Sequence, residues 1–334
     1  MPIGQLAQVL RGVSGEKGEH VLVGPETFDD AGVVELAGVE GLSTDTNVAL
    51  VQTIDYFPPV VDDPWYYGAI AAANSLSDVY AMGGRPFTAL NLAGIPKDFP
   101  EDWTAEIFRG GFETVRKTGA TVVGGHTVQS AEAIFGFAIT GLVDRRRIVS
   151  NAGAKSGDVL YLTKALGMGS LTTAAKQKKI TWEEMLPAAR QMATVNAAAA
   201  DAMLAAQATA CTDITGFGLV GHARNVALAS SVTLRFDLQR VPVFDRALEL
   251  VRGGTMSGAS KRGRAALSDV VGVESGLDEA RVNLVFDAET SGGLLIAIPA
   301  SRAKDLEREL AARDVLVSRV GECAPKSERL VELV

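Results

Sequence analysis

The sequence predicts an α/β (α+β) protein built as two comparable domains. Its 334 residues suit two units of ordinary size, at roughly 100–200 residues each. Strand-like and helix-like segments alternate through both halves. A polar, turn-forming stretch, Asn151-Ala152-Gly153-Ala154-Lys155-Ser156-Gly157-Asp158, separates the halves and sets the expected domains at 1–150 and 151–334.

Residues 47–55 are rich in β-branched and apolar side chains, as a largely buried strand should be. Asp63-Pro64 then reads as N-cap and first helical residue. Trp65, Ala69, Ala72, Leu76, Val79 and Tyr80 follow at three- and four-residue steps, one helical stripe that Gly83-Gly84 ends. A second helix is predicted over 103–117, with Phe108, Phe112 and Val115 inward and a stop at Gly119. A short strand at 121–123, a loop Gly124-Gly125-His126-Thr127 and a clearer strand over 133–143 come next, before Asp144-Arg145-Arg146-Arg147 breaks the pattern. The second half opens with a strand over 159–163. An Ala-rich helix is expected from about 186 to 204, a helix-like segment ending near Cys211, and a strand over 282–286.

Composition narrows the function. Hydrophobic residues make up 47% and charged residues 22%, which argues against disorder and coiled coil. Thirty-two basic against forty acidic residues leave a net charge of −8, so neither nucleic acid nor anionic lipid is an expected partner. Two cysteines, Cys211 and Cys323, and three histidines cannot build a disulfide scaffold or a closed Cys-rich zinc site. The first twenty residues lack a secretory pattern, and no run approaches the ~18 apolar residues of a membrane span. A cytoplasmic protein is expected.

The acids carry the chemistry. Asp29 and Asp30 fall in a turn, Asp55 closes an apolar strand, Asp78 shares a helix face with Asn74, and Asp213 opens Asp213-Ile214-Thr215-Gly216-Phe217-Gly218. Carboxylates at element ends beside glycines suit Mg²⁺, a hard cation held by one or two carboxylates and substrate phosphates. Any one of them taken alone is better read as a helix or turn cap. Gly124-Gly125-His126-Thr127 and Glu289-Thr290-Ser291-Gly292-Gly293 leave backbone N–H groups open to a phosphate, although tight turns explain most such glycines. Neither the P-loop nor the dinucleotide fingerprint is present.

Several long blocks resemble selenophosphate synthetase (selenide, water dikinase), within the aminoimidazole ribonucleotide synthetase superfamily. They are Glu26-Thr27-Phe28-Asp29-Asp30-Ala31, Thr53-Ile54-Asp55-Tyr56-Phe57 with Val61-Asp62-Asp63-Pro64, and Ala73-Asn74-Ser75-Leu76-Ser77-Asp78-Val79-Tyr80-Ala81-Met82-Gly83-Gly84. Gly124-Gly125-His126-Thr127, Asp213-Ile214-Thr215-Gly216-Phe217-Gly218-Leu219-Val220-Gly221-His222 and Glu289-Thr290-Ser291-Gly292-Gly293-Leu294-Leu295 complete the set. The resemblance implies a two-domain synthetase whose N-terminal half forms a β-barrel across a homodimer interface. It implies that ATP, selenide and water give selenophosphate, AMP and orthophosphate, with Mg²⁺ as cofactor. It places metal ligation at Asp30, Asp78 and Asp213, and ATP contacts at Thr27, Phe28, Asp29, Asp55, Asp78, Gly125, His126 and Thr127. His126 remains open between a phosphate contact and a turn histidine, while His222 is read as packing behind its glycine loop.

The family's N-terminal loop, with a Cys or selenocysteine and a nearby Lys, has no counterpart in these residues. Residues 1–10 correspond to the helix just after it, no cysteine precedes Cys211, and Lys17 lies well downstream. The Cys or selenocysteine position and the Lys position are therefore expected to precede Met1. No catalytic nucleophile is named, and the chain is read as a truncated form of a working enzyme. The alternatives are another ATP enzyme of the superfamily, from a purine or thiamine pathway, and a non-catalytic MgATP-binding relative. Gly253-Gly254-Thr255, followed by Lys261, Arg262 and Arg264, is read as a solvated basic loop.

Overall fold

The structure, a computed structural model, describes residues 18–37 and 47–334. Met1 and the helix expected over 1–10 lie outside the described residues, and so does the expectation that the catalytic loop precedes Met1. In the N-terminal half, β1 (Val21–Val23), β2 (Gly32–Glu35), β3 (Val48–Phe57), β4 (Arg85–Ile95), β5 (Thr121–Gln129) and β6 (Ile134–Asp144) form one sheet. Its order is β1-β2-β3-β6-β4-β5. Neighbours run antiparallel except β4 and β5, which are parallel.

Alternation along β3 decides which face is which. Ala49 and Val51 are buried, whereas Ile54 and Tyr56 are more than half exposed. Phe87 and Leu90 of β4 and Val123 and Val128 of β5 are exposed as well, so this sheet shows solvent an apolar patch. Helices α1 (Pro64–Ala81) and α2 (Glu101–Lys117) cover the other face.

Asp63 caps α1 by accepting the Tyr66 N–H at 2.8 Å, and Pro64 supplies the preset first turn. The sequence predicts one buried stripe on this helix, yet every residue from Tyr67 to Ala81 is buried. The reason is position: α1 packs on β3, β6, α2, a helix of the second half and a strand of the second half at once. Small residues make this possible. A Cβ on Gly68 would stand 1.9 Å from the Ile107 carbonyl oxygen, and one on Gly110 2.1 Å from that of Trp65. The two helix backbones therefore touch.

The C-terminal half contains β7 (Asp158–Leu162), β8 (Ala210–Asp213), β9 (Val232–Phe236), β10 (Val271–Val273), β11 (Leu294–Pro299), β12 (Ser318–Pro325) and β13 (Val331–Leu333). They form a mixed sheet in the order β10-β13-β9-β12-β7-β11-β8. Around it lie α3 (Met168–Lys176), α4 (Trp182–Ala193), α5 (Ala197–Ala206), α6 (Gly218–Ser230), α7 (Asp245–Arg252), α8 (Gly258–Leu267), α9 (Glu279–Val285) and α10 (Ala303–Ala311). Among the described residues no helix is long and apolar enough to cross a membrane.

Four local expectations are corrected. Gly124-Gly125-His126-Thr127 is not a loop but the middle of β5, because its backbone continues the parallel ladder along Leu90-Asn91-Leu92-Ala93. The single Ala-rich helix is two, α4 and α5, parted where Thr194 turns extended and its carbonyl is taken by the Lys164 ammonium at 2.7 Å. Residues 282–286 are largely helical, not a strand, because Asp278 caps α9 and short apolar runs fit either period. The helix-like segment expected to end near Cys211 stops with α5 at Ala206, and Ala210–Asp213 is strand β8, paired with β11.

Candidate active site

Five segments deliver polar side chains to the seam between the halves. Strand β3 presents Thr53 and Asp55 on its inner face, toward α1. One turn of α1 apart, Asn74 and Asp78 face them: Asn74 Nδ2 donates to Asp55 Oδ2 at 2.8 Å, and the Thr53 hydroxyl donates to Asp78. Asp30 follows a 3-10 turn at Pro25–Thr27, and its Oδ1 accepts from Thr212 Oγ1 of β8 at 2.8 Å. Asp213 ends β8. Asn151 braces the first turn, its backbone N–H donating to Asp29 Oδ1 at 2.6 Å and its Nδ2 to the Phe28 carbonyl at 2.9 Å. Phe28, at φ 52°, sits in the left-handed region that few non-glycine residues adopt.

Four acids thus meet at one site, Asp78 and Asp213 buried and Asp30 and Asp55 partly so. Burial, then the charge of Asp213, pushes Asp55 up to about 7. Burial likewise carries Asp213 to about 6. It also holds Asp30 and Asp78 well above the ordinary carboxylate range, with neighbouring acids adding to the rise. The Oδ2 atoms of Asp30 and Asp213 are buried without a hydrogen-bond partner, as is Asn151 Oδ1. Unpaired carboxylate oxygens in a buried cluster are the donor set of a hard divalent cation, so the residues present fit Mg²⁺. His222 lies within 4.8 Å of the Asp30 and Asp213 oxygens. Its Nε2 already accepts the Thr215 N–H at 3.2 Å, and imidazole suits softer ions, so it backs the loop rather than completing an oxygen cage.

The sequence-predicted residues divide into two groups. Thr27, Phe28, Asp29, Asp30, Asp55, Asp78 and Asp213 are gathered at the seam. Gly125, His126 and Thr127 are not: they are exposed on edge strand β5, three strand spacings from β3, or about 14 Å. The solvated basic loop expected at Lys261, Arg262 and Arg264 is instead helix α8, capped by Ser257, with Arg264 donating to Asn283 Oδ1 at 2.8 Å beside Glu279.

Relatives decide the family. Residues 28–143 match the family AIR synthase related protein, N-terminal domain, and 155–331 match AIR synthase related protein, C-terminal domain. The chain is 44% identical over 328 residues to a selenide, water dikinase of Geobacter metallireducens, covering 98% of this chain and 93% of that one. It is 43% identical to one from Caldanaerobacter subterraneus subsp. tengcongensis, covering 91% and 86%. The chain belongs to the selenide, water dikinase family. Solved structures share this family member's fold. AaThiL complexed with AMPPCP and TMP has a TM-score of 0.70 at 20% identity, covering 99% of this chain and 92% of its own. Hydrogenase maturation protein HypE in complex with ATP has 0.64 at 18%, covering 96% and 82%.

In this selenide, water dikinase family member, several site residues escape sequence reasoning. Lys164 is buried, donating to the carbonyls of Thr194 at 2.7 Å and Ser291 at 2.8 Å. Asn196 donates to Ser77 Oγ at 2.8 Å and to the Gly292 carbonyl at 2.9 Å. Ser291 holds φ at 50°, and its hydroxyl is buried without a partner. A lysine ending an apolar strand and an asparagine inside an Ala-rich run carry no signal of their own; only folding sets them beside the acids. Both cysteines are buried, and burial raises both thiols, Cys323 to about 12, which disfavours the reactive thiolate.

Proposed function

We propose that the chain makes selenophosphate from selenide, with ATP and water as co-substrates and AMP and orthophosphate as the other products. The observation that supports this most is the convergence of Asp30, Asp55, Asp78 and Asp213 on one buried site with two carboxylate oxygens unpartnered. Names of relatives at 40% identity and above supply the substrate.

Asp30, Asp78 and Asp213 would hold the Mg²⁺ ions. Bound there, the metal supplies positive charge against the phosphate oxygens as negative charge builds on them. The protein's part is to hold those acids still: Thr53 orients Asp78, Thr212 orients Asp30, and Asn74 fixes Asp55. Thr27, Phe28 and Asp29, in the braced turn, with Asp55 and Asp78, line the nucleotide side. Gly125, His126 and Thr127 lie too far from β3 within one chain, so they serve the site of a second copy. The exposed apolar face around Ile54, Tyr56, Leu90 and Val123 supports a homodimer in which the two N-terminal sheets join. The domains are assigned as 1–150 for ATP, metal and dimerisation, and 151–334 as the α/β partner. An ATP substrate and two unpaired thiols support a cytoplasmic setting.

Incubation with ATP, Mg²⁺ and selenide, followed by ³¹P NMR, tests the reading. Selenophosphate with AMP is expected. ADP as the nucleotide product would point to a purine- or thiamine-pathway activity. MgATP binding without turnover is shared by the truncated-form reading and a non-catalytic relative, and restoring a Cys/selenocysteine-Lys loop ahead of Met1 separates them.

A further inference from the structure

Buried polar atoms that bond nothing are uncommon in folded chains, and each one asks for a physical reason. Among the described residues, six buried side-chain atoms have no hydrogen-bond partner. Two of them, Glu35 Oε2 and Arg246 Nε, sit in ion pairs, 2.7 Å from Arg145 and 3.1 Å from Glu184. The other four all belong to the seam: Asp30 Oδ2, Asn151 Oδ1, Asp213 Oδ2 and Ser291 Oγ. The two carboxylate oxygens are the proposed cation ligands, and Asn151 is held by its other atoms to the Phe28 and Asp29 turn. The Ser291 hydroxyl has no such account.

The backbone of Ser291 fixes it among the site residues. Its N–H donates to Asn74 Oδ1 at 3.0 Å, and the same amide donates to Asp55 Oδ2 at 2.8 Å. Its carbonyl accepts from Lys164 Nζ at 2.8 Å. On the following residues, the Gly292 N–H donates to the Ile214 carbonyl at 3.1 Å. The Ile214 N–H, directly after Asp213, returns a bond to the Gly293 carbonyl at 2.9 Å. Ser291 is thus tied toward Asp55 on one side and toward Asp213 on the other, and only its hydroxyl is left over.

Nothing within the folded chain calls for a serine at this position. Its φ of 50° lies in the left-handed region, which glycine adopts without strain. The residue is 1% exposed, so the hydroxyl gives up water and gains no bond in return. Both features destabilise the free protein, and a bound group that accepts a hydrogen bond reverses the second.

We propose that the Ser291 hydroxyl is a substrate-binding group that donates a hydrogen bond to a phosphoryl oxygen of the nucleotide held at the carboxylate cluster. The inference rests on the reading of that cluster as the MgATP site. A neutral donor suits the task, because it meets an anionic oxygen without adding to the repulsion among four acids. It has a signed consequence. Removing the hydroxyl relieves the free protein and weakens the nucleotide complex.

The test compares the full chain with Ser291→Ala. In chelator and without nucleotide, the variant is expected to melt about 2 °C or more higher, since no unpaired donor remains. MgATP binding, read by titration calorimetry, is expected to weaken about fivefold or more. Mn²⁺ alone, followed by the EPR signal of the free ion, should bind both proteins equally. Unchanged MgATP affinity in the variant overturns the proposal. An unchanged or lower melting temperature also overturns it, by showing that the hydroxyl is satisfied in the free protein. A loss of Mn²⁺ affinity overturns it as well, by making the hydroxyl a metal ligand instead. If Ser291→Ala does not fold, the same two binding measurements on Ser291→Gly, which takes the left-handed backbone without strain, decide the matter. If the unaltered protein binds no MgATP, the reading of the site falls and the proposal with it; binding that the variant retains in full overturns the proposal alone.

Discussion

Asn74 Oδ1 accepts the backbone N–H of Ser291 at 3.0 Å across 217 residues of sequence. The same amide donates to Asp55 Oδ2 at 2.8 Å, so one side chain ties the β3 acid to the glycine loop of the second half. The helix that carries Asn74 is buried on all sides there, which leaves the amide no solvent to turn to.

Asn74→Ala should therefore cost both stability and activity. It strands the Ser291 N–H and releases Asp55, a loss of roughly 1–3 kcal/mol for a buried polar group left unpaired. Urea unfolding midpoints measure the first effect, and selenophosphate formation the second. A variant with unchanged midpoint would show that the junction tolerates the gap.

Asp78 is the sharper probe of ligation. Asp78→Ala is expected to abolish metal-dependent ATP binding, read by titration calorimetry with MgATP and again with ATP in chelator. Unchanged affinity would remove Asp78 from the ligand set.

Metal-free stability should fall as pH rises from about 4 to 7. Asp55 and Asp213 have folded values raised to about 7 and about 6, and Asp30 and Asp78 are held well above the ordinary carboxylate range. The native state then holds more protons than the unfolded chain in that window, and stability drops with rising pH. His222, lowered by burial to about 4, pulls the other way only up to its ordinary value near 6.5. Four acids outweigh one imidazole. Urea midpoints at pH 5.5 and 7.5 in chelator check the sign, and added Mg²⁺ should flatten the dependence.

The apolar outer face gives a prediction about assembly. Tyr56→Asp with Leu90→Asp places charge on exposed positions of β3 and β4, away from the core. If the proposed homodimer forms through this face, the variant should remain folded, elute as a monomer and lose ATP affinity, because β5 of one copy would no longer reach the site of the other. Light scattering and circular dichroism separate this outcome from misfolding.

Gly68→Ala should destabilise by about 1–3 kcal/mol or more, since the new methyl meets the Ile107 carbonyl oxygen at 1.9 Å and α1 and α2 must part. A thermal melt with no change would mean the helices separate freely.

Local chemistry was legible wherever it acts over a few residues. Asp63-Pro64 marks the start of α1, the β-branched and apolar run over 47–55 marks β3, though only one face of that strand is buried, and the acids at element ends mark the candidate site, because caps, composition and turn chemistry are properties of neighbours in sequence. The motif blocks around Asp30, Asp55, Asp78 and Asp213 extended that reading to the chemistry. Period could not separate a short apolar helix from a strand at 282–286, nor could glycine content distinguish a loop from the edge strand that carries His126. Those choices belong to the partner: β4 offers β5 its ladder, and Lys164 draws the Thr194 carbonyl out of a continuous helix. Tertiary structure alone decided that four acids distant in sequence meet at one seam, two of them fully buried. Only there do burial and mutual repulsion become large enough to raise the carboxylates above their ordinary range.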